Sequence, residues 1–584
     1  MYIQRNRAKS KSGKVYICTL LCEKYREGGK IKTRTIANLS NMPQYMILGI
    51  ENMIKSGKTA TVCMDDVYVS SCSDYGFIFV LLELFHQLRI DETLEKVLPP
   101  TEATLVKAMI IGKIITGGSK LCIANWLDRE EDVCELLGLD KTGLKVDQLY
   151  YALGQLYKYH PKIEKKWFRY HKGSQRRIYL YDITSSYFEG TKNELAAFGY
   201  NRDGKKGKMQ ICIGLLTSDD GFPLRIETFK GNTADSTTVA GQILALKKDF
   251  NTEQIVFVGD RGMQIMYNLE NDAELSEEHI DFITGLTHAQ ITTLLSRGQI
   301  ELNLFSSDLA EVTVDDMRYI LSVNPELEAK ERFWLENSRK RAEVLLENIR
   351  KSWQKRCTLN MDNLKRQKEN PKKHKKLKTE LTVKDMDGYK RRVTLALKGC
   401  GMDRYYRTEA IDNGQFSIAF NQEEFDKSLS LCGKYVVCTN VPAKDMSCEE
   451  VRGKYKNLQS VEHAFRDLKS DNISIRPIYH RNELQTRGHV LLCMFAYAII
   501  KALEDKLFPF LKEYNQHNKK QLAFNDLKES LKNIKMCELN IGKGVQAIQI
   551  PELNELQTKI FDTLKIDPKK MTEQKKQKNR KKKG

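Results

Sequence analysis

Between Ile178 and Asp260 the hydrophobic pattern shifts from a helical period to one close to two residues. Four segments, IYLYDIT, KMQICIGLLT, PLRIETFKG and QIVFVGD, are apolar and rich in β-branched residues, with turn residues between them. Between the last two, TADSTTVAGQILALKKDF has helical spacing, with Asp235 or Ser236 where an N-cap belongs and Asn232 and Thr233 just before it. The predicted order is strand, strand, strand, helix, strand. A short helix from about Met263 and a fifth strand, HIDFITGL (279–286), follow. This is an α/β domain with a mixed sheet. Asp182 is expected to close the first strand and Asp260 the fourth. A strand end is a firm mount for a functional carboxylate, because backbone pairing sets the direction of the side chain.

A second stretch supplies the partner for these acids. In YKNLQSVEHAFRDLK, Tyr455 to Lys469, helical spacing puts Val461, Phe465 and Leu468 on one apolar stripe. Tyr455, Glu462, Arg466 and Lys469 fall on the neighbouring stripe. A lone surface helix turns such charges to water. Together with Asp182 and Asp260, however, Glu462 makes a set of three carboxylates on two strands and a helix. Hard divalent cations take oxygen ligands, and Mg²⁺ sites use few carboxylates while keeping waters and substrate phosphates. Two such ions about 3.5–4 Å apart can activate a water and stabilise the leaving oxygen of a phosphodiester.

Charge points to the same class of substrate. The 584-residue chain has a net charge of +19 and a pI near 9.1, which suits a polyanionic partner. Residues 568–584 hold nine Lys or Arg against one Glu, a net of +8. The remainder still carries +11, so the body is basic as well as the tail. Fourteen scattered cysteines without a CxxC pair read as free or structural thiols in a reducing compartment. The opening MYIQRNRAKSKSGKVY lacks the apolar core of a secretory signal, and the run Val490 to Ile500 is too short to span a membrane. The expectation is a soluble cytoplasmic protein.

The remaining chain divides by composition. Residues 1–60 read as a basic β-hairpin module with a helix (Met42 to Ser56), turning at KSKSGK and REGGK. Residues 61–172 read as a helical DNA-binding region, in which short helices could form helix-turn-helix units or a plain bundle. The first part of the catalytic domain is assigned to 173–287 and an inserted α+β or β-rich domain to 288–445. That insertion has strand candidates MRYILSVN and GKYVVCTN, a helix from Pro325 to about Asn360, and a hairpin turning at Asn413-Gly414. Residues 446–567 complete the catalytic domain with packing helices, and 568–584 form a basic disordered tail. There is no internal repeat. His463 and His489 are assigned packing or surface roles.

Strands, acids and helix together resemble the RNase H-like catalytic domain of DDE transposases. The 78 residues from Asp182 to Asp260 and the 202 from Asp260 to Glu462 resemble bacterial insertion-sequence members, which carry a strand-rich insertion before the glutamate helix. That group has a Tyr-(2)-Arg-(3)-Glu-(6)-Lys signature. Tyr455, Glu462 and Lys469 match it, but Leu458 stands at the arginine position, and Arg466 on the same face is the candidate substitute. GNTADSTTV, GDRGM, VEHAFRDLKS and IRPIYHR also look like the group. The resemblance implies catalytic and metal-binding roles for Asp182, Asp260 and Glu462, with two Mg²⁺ ions for which Mn²⁺ can substitute. It implies phosphate or DNA contacts for Tyr455, Lys469, Arg466 and Arg261. It further implies cleavage at the ends of a mobile element, joining of the 3′-OH to target DNA, a homodimer in a synaptic complex, and a bacterial, nucleoid-associated protein. An aromatic residue in the insertion holds a flipped base in related enzymes, which makes Trp334 and Trp353 candidates, although a helix Trp is more often core. The rival readings are a stand-alone RNase H-like nuclease without strand transfer and a DNA-binding protein with a decayed site.

Overall fold

The computed structural model describes residues 1–9, 15–56, 67–140, 142–171, 177–250, 255–271, 275, 280–411, 415–470, 473–540, 546–571 and 573. The chain divides into two compact units, one of Met1–Gln87, Asn125–Leu144 and Leu503–Gly584, the other of Leu88–Ala124 and Lys145–Ala502.

In the first unit, strands Tyr2–Lys9, Val15–Glu27 and Lys30–Asn38 form an antiparallel sheet, and a helix, Gln44–Ser56, follows. Gly28 and Gly29 make the second turn at φ +58° and +77°, a region that glycine enters without a Cβ penalty. The first turn, KSKSGK, lies largely outside the described residues. A second sheet joins Tyr68–Asp74 to Lys535–Asn540 and thence to Gln546–Gln549. The sequence pattern predicts none of these three strands. The tail expected from residue 568 is described only at its start. Met571 is fully buried and its carbonyl accepts from the Tyr75 hydroxyl at 3.3 Å, while residues 574–584 lie outside the described residues.

The second unit is built on a mixed sheet. Its strands are β1 (Arg177–Tyr187), β2 (Gln210–Ser218), β3 (Pro223–Lys230), β4 (Ile255–Gly259), β5 (Asp281–Gly285), β6 (Leu309–Val314), β7 (Met317–Val323) and β8 (Lys434–Thr439). They lie in the order β6-β7-β8-β5-β4-β1-β2-β3. β1 pairs in parallel with β4 and β4 with β5, whereas β2 and β3 run antiparallel. The first five strands thus have the order 3-2-1-4-5 with the second reversed, which is the RNase H-like arrangement.

The insertion is α+β as expected, but its strands do not stand apart as a β-rich body. β8 pairs with β5, and β7 with β8, so they prolong the catalytic sheet. The rest is mainly helical. Helix α1 (Pro325–Glu369) runs beyond its expected end and packs on α2 (Val383–Cys400). Around them Leu346, Val393, Leu397 and Phe425 form a separate apolar core. A hairpin of Tyr406–Ile411 and Gln415–Phe420 belongs to this part, and its Asn413-Gly414 turn lies outside the described residues.

Candidate active site

Asp182 lies within β1, opposite Leu215 of β2, and does not end the strand as expected. Strand pairing continues through Thr184 and Ser186 to Tyr187. The period of two sends Tyr181 and Ile183 into the core beneath the sheet, with Phe257 and Val239. Asp182 and Thr184 therefore share the opposite face. Asp260 directly follows β4 and is exposed.

The single helix expected over Tyr455 to Lys469 is two, α3 (Cys448–Lys456) and α4 (Leu458–Lys469). The break falls at Asn457, whose amide donates to Asp219 Oδ1 at 2.9 Å; Lys454 pairs with the same carboxylate. Asp219 sits in the turn after β2, so this turn holds the helix junction. Ser447 and Glu450 open α3 with a reciprocal capping box. α3 packs on β4, β5 and β8, and α4 on β1 and β2. Val461, Ala464, Phe465 and Leu468 form the buried side of α4, as the apolar stripe predicted, and Glu462 and Arg466 are exposed.

These elements enclose a cavity of about 670 Å³ lined by Asp182, Asp260 and Glu462. Tyr455, Leu458, Arg466, Lys469 and Arg261 line it too, and Asn324 and Leu327 from the start of α1 close one side. Burial is the main reason that the Asp182 carboxyl is pushed up to about 7, and the charges of Asp260 and Glu462 add to it. Three acids on one cavity, one resisting ionisation, form a hard-oxygen donor set that a divalent cation would relieve. As the side chains stand, no three metal-binding residues among the described ones surround a common point. The donor set fits the cation in chemistry, and the carboxylates have to draw together to share it.

Tyr455 donates from its hydroxyl to Asp260 Oδ1 at 3.3 Å, and burial, with the Asp260 charge, raises its pKa. Room for this ring exists because residue 285 is glycine: a Cβ there would stand 2.2 Å from the Tyr455 hydroxyl oxygen. Gly285→Ala is accordingly expected to displace Tyr455 and to destabilise the protein by about 1–3 kcal/mol, as overpacking does. In the Tyr455→Phe background the same change is expected to cost less. A denaturant double-mutant cycle measures the difference, and full additivity would refute the contact.

Lys469 does not extend freely into the cavity. Its ammonium donates to Asp203 Oδ1 at 2.9 Å and to Thr184 Oγ1 at 2.7 Å, and burial lowers its pKa. Arg476 pairs with the same Asp203, whose side chain is 2% exposed. The Tyr187 amide donates to its other oxygen at 3.0 Å. Asp235, expected as an N-cap, is instead the first residue of the helical turn, and Ala234 holds the cap position. The Asp235 carboxylate pairs with Arg202 at 2.5 Å, and both line the cavity.

Residues 173–499, more than half of the chain, match the family described as "Transposase DDE domain". The chain belongs to this family of DDE transposases. Residues 3–61 of the transposase match "IS1634 family transposase, N-terminal domain". DDE transposase domains depend on metal, generally a divalent cation. Among solved structures, a cryo-EM structure of a piggyBac transposase synaptic complex with hairpin DNA covers 78% of this chain and 79% of its own. It matches at a TM-score of 0.33 and 7% identity. One curated relative, an NADPH–cytochrome P450 reductase of Musca domestica, is 24% identical over 234 residues, 38% of this chain. The transposase spans only 32% of that protein's length. Among the described residues no helix is long and apolar enough to cross a membrane.

Four residues of the transposase at or beside the cavity carry no assigned role in the sequence pattern: Thr184 and Arg202 line it, and Asp203 pairs with Lys469 and Arg476 next to it. Arg202 and Asp203 lie in YNRDG, which has the look of a surface turn, and Thr184 sits in an ordinary strand. Arg476 falls in IRPIYHR, a segment that carried the family resemblance without an assigned role. Neither tryptophan of the insertion lines the cavity: Trp353 packs against Tyr389 at 4.9 Å, and Trp334 is 51% exposed. His463 is exposed and His489 buried.

Proposed function

We propose that this transposase binds the ends of a mobile element, cleaves DNA by phosphodiester hydrolysis, and joins the freed 3′-OH to target DNA at the cavity of Asp182, Asp260 and Glu462. One observation carries the reading: carboxylates up to 280 residues apart in the chain line one cavity where sheet and helix meet. Asp182, Asp260 and Glu462 would hold the cations, two Mg²⁺ ions for which Mn²⁺ can substitute. When bound, such cations supply activation of the attacking oxygen and charge neutralisation at the leaving oxygen.

The chain's other residues position the substrate. Tyr455 steadies the Asp260 carboxylate through its hydroxyl. Arg261 and Arg466 lie on the cavity wall, where a guanidinium can take a backbone phosphate in two parallel hydrogen bonds. Lys469, held by Asp203 and Thr184, adds a positive charge beside the reacting phosphate. Leu458 leaves the family's arginine position apolar, and Arg466, on the same cavity, takes its place. The amino-terminal sheet and the helices that follow recognise terminal sequence, and a homodimer brings two ends together in the bacterial nucleoid. Retention of strand transfer separates this reading from a stand-alone nuclease, which would cut element ends without joining them.

The proposed ligand role of Asp182 has a pH signature. Its carboxyl is held up to about 7, so below that value a cation must displace a proton. Mn²⁺ affinity of the full chain, measured by calorimetry, is expected to fall about tenfold from pH 8 to pH 6. Asp182→Asn should bind more weakly and lose most of this dependence. An affinity in the parent that is flat across this range would remove Asp182 from the ligand set.

A further inference from the structure

A second cavity of about 1210 Å³ lies next to the first, with Lys469 on the wall of both. Its cations are Lys113, Lys120, Lys205, Lys469, Arg476 and Arg481. Against them stand two carboxylates, Asp147 and Asp203, and Asp203 is already paired with Lys469 and Arg476. The two innermost lysines are unusual. Lys113 and Lys120 are 3% and 2% exposed, and neither forms an ion pair with a carboxylate among the described residues. Lys113 donates to the carbonyls of Gly117 and Gly118 at 3.0 and 2.9 Å. Lys120 lies 2.7 Å from His489 Nδ1, and His489 Nε2 lies 3.1 Å from the Ile475 carbonyl. That geometry fits a neutral imidazole, donating from Nε2 and accepting at Nδ1. Burial lowers the Lys120 pKa to about 7, so an arriving anion would restore a charge that the protein leaves without a counter-ion.

Aromatic faces accompany the charge. Tyr150, Tyr151, Tyr187 and Tyr479 line the cavity, and Tyr151 and Tyr479 are 60% and 66% exposed. Cations that track phosphates beside open aromatic rings are the chemistry of single-stranded nucleic acid, whose bases have free faces to stack. A duplex hides those faces in its own stack. The volume also exceeds the roughly 300–1,000 Å³ of an ordinary small-molecule pocket, which favours a strand over a mononucleotide.

We infer that the second cavity binds an unpaired stretch of the DNA substrate, its phosphates on the lysines and arginines and its bases stacked on Tyr151 and Tyr479. This rests on the proposed transposase reading, and the shared Lys469 makes the unpaired stretch continuous with the strand at the catalytic carboxylates.

The test uses the full chain with fluorescein-labelled oligothymidylate and a blunt duplex of arbitrary sequence, followed by anisotropy. Tyr151→Ala/Tyr479→Ala is expected to weaken oligothymidylate binding about tenfold or more and duplex binding by no more than about twofold. Tyr151→Phe/Tyr479→Phe keeps the rings and should retain parent affinity within about twofold. Lys120→Met should reduce the salt slope for the single strand by about 0.7, one phosphate contact. Unchanged oligothymidylate binding in the alanine variant, or equal loss on both probes, overturns the inference. Loss in the phenylalanine variant overturns the stacking role. Cleavage by Asp182→Ala and Asp260→Ala reports separately on the catalytic reading. If those are inactive while the tyrosine variants bind like the parent, the second cavity alone loses its assignment.

Discussion

Asp182→Ala, Asp260→Ala and Glu462→Ala are each expected to lower cleavage of an element-end duplex by about a thousandfold or more, with DNA binding nearly unchanged. The magnitude follows from the several kcal/mol of charge stabilisation that a bound cation supplies in the transition state. The separation of the two effects follows from electrostatics. Carboxylates repel phosphates, so their loss removes cation affinity without removing any attraction for DNA, and binding measured without metal should stay level or tighten. Single-turnover cleavage with Mg²⁺ and filter binding in chelator give the two readouts. Near-parent cutting by any two of the three variants would dismiss the assignment of this cavity as the catalytic centre. A parallel loss of cutting and binding would point to misfolding instead. Unfolding curves decide that, and the isosteric Asp182→Asn and Asp260→Asn should still be inactive.

The second large effect is expected from Asp203→Ala, and it concerns stability. Asp203 is 2% exposed and serves Lys469, Arg476 and the Tyr187 amide at once. Removing it leaves two cations and an N–H without their acceptor, and breaking a buried pair from one side costs about 3–5 kcal/mol. Lys469 is 13% and Arg476 31% exposed, so water can recover part of this and the lower end is expected, about 3 kcal/mol. Lys469→Ala should cost less, because Asp203 keeps Arg476 and the Tyr187 amide. Combining the two should cost less than their sum, since each removes the other's partner. Chemical denaturation of the four proteins is the measurement. A loss below about 1 kcal/mol in Asp203→Ala would mean that the three contacts do not form in solution. The same result would return Lys469 to the simpler picture of a side chain reaching into the cavity on its own.

What the sequence by itself determined is the local order and the choice of candidate acids. A period of two over Ile178–Asp260 reports a sheet buried on one face, and the apolar stripe of Val461, Phe465 and Leu468 reports which side of a helix packs. These signals depend only on neighbours a few residues away, so β1 to β5, the helix after β3 and the exposed position of Glu462 were legible, as were the family motifs. Only the tertiary structure decided what distant segments do to one another. Tyr68–Asp74 is paired by a strand more than 450 residues further along, and its polar sequence, YVSSCSD, shows no alternation of its own. β7 and β8 could be read as strands, but nothing in their composition says that they join β5 and lengthen the catalytic sheet. Asn457 looks like any polar helix residue until Asp219 holds its amide and breaks the helix there. Asp203 looks like a turn aspartate until the fold brings Lys469 and Arg476 to it. A pattern of hydrophobicity records that a face is covered; which partner covers it, and which charge a buried carboxylate meets, is settled by long-range packing and leaves no periodic trace in the chain.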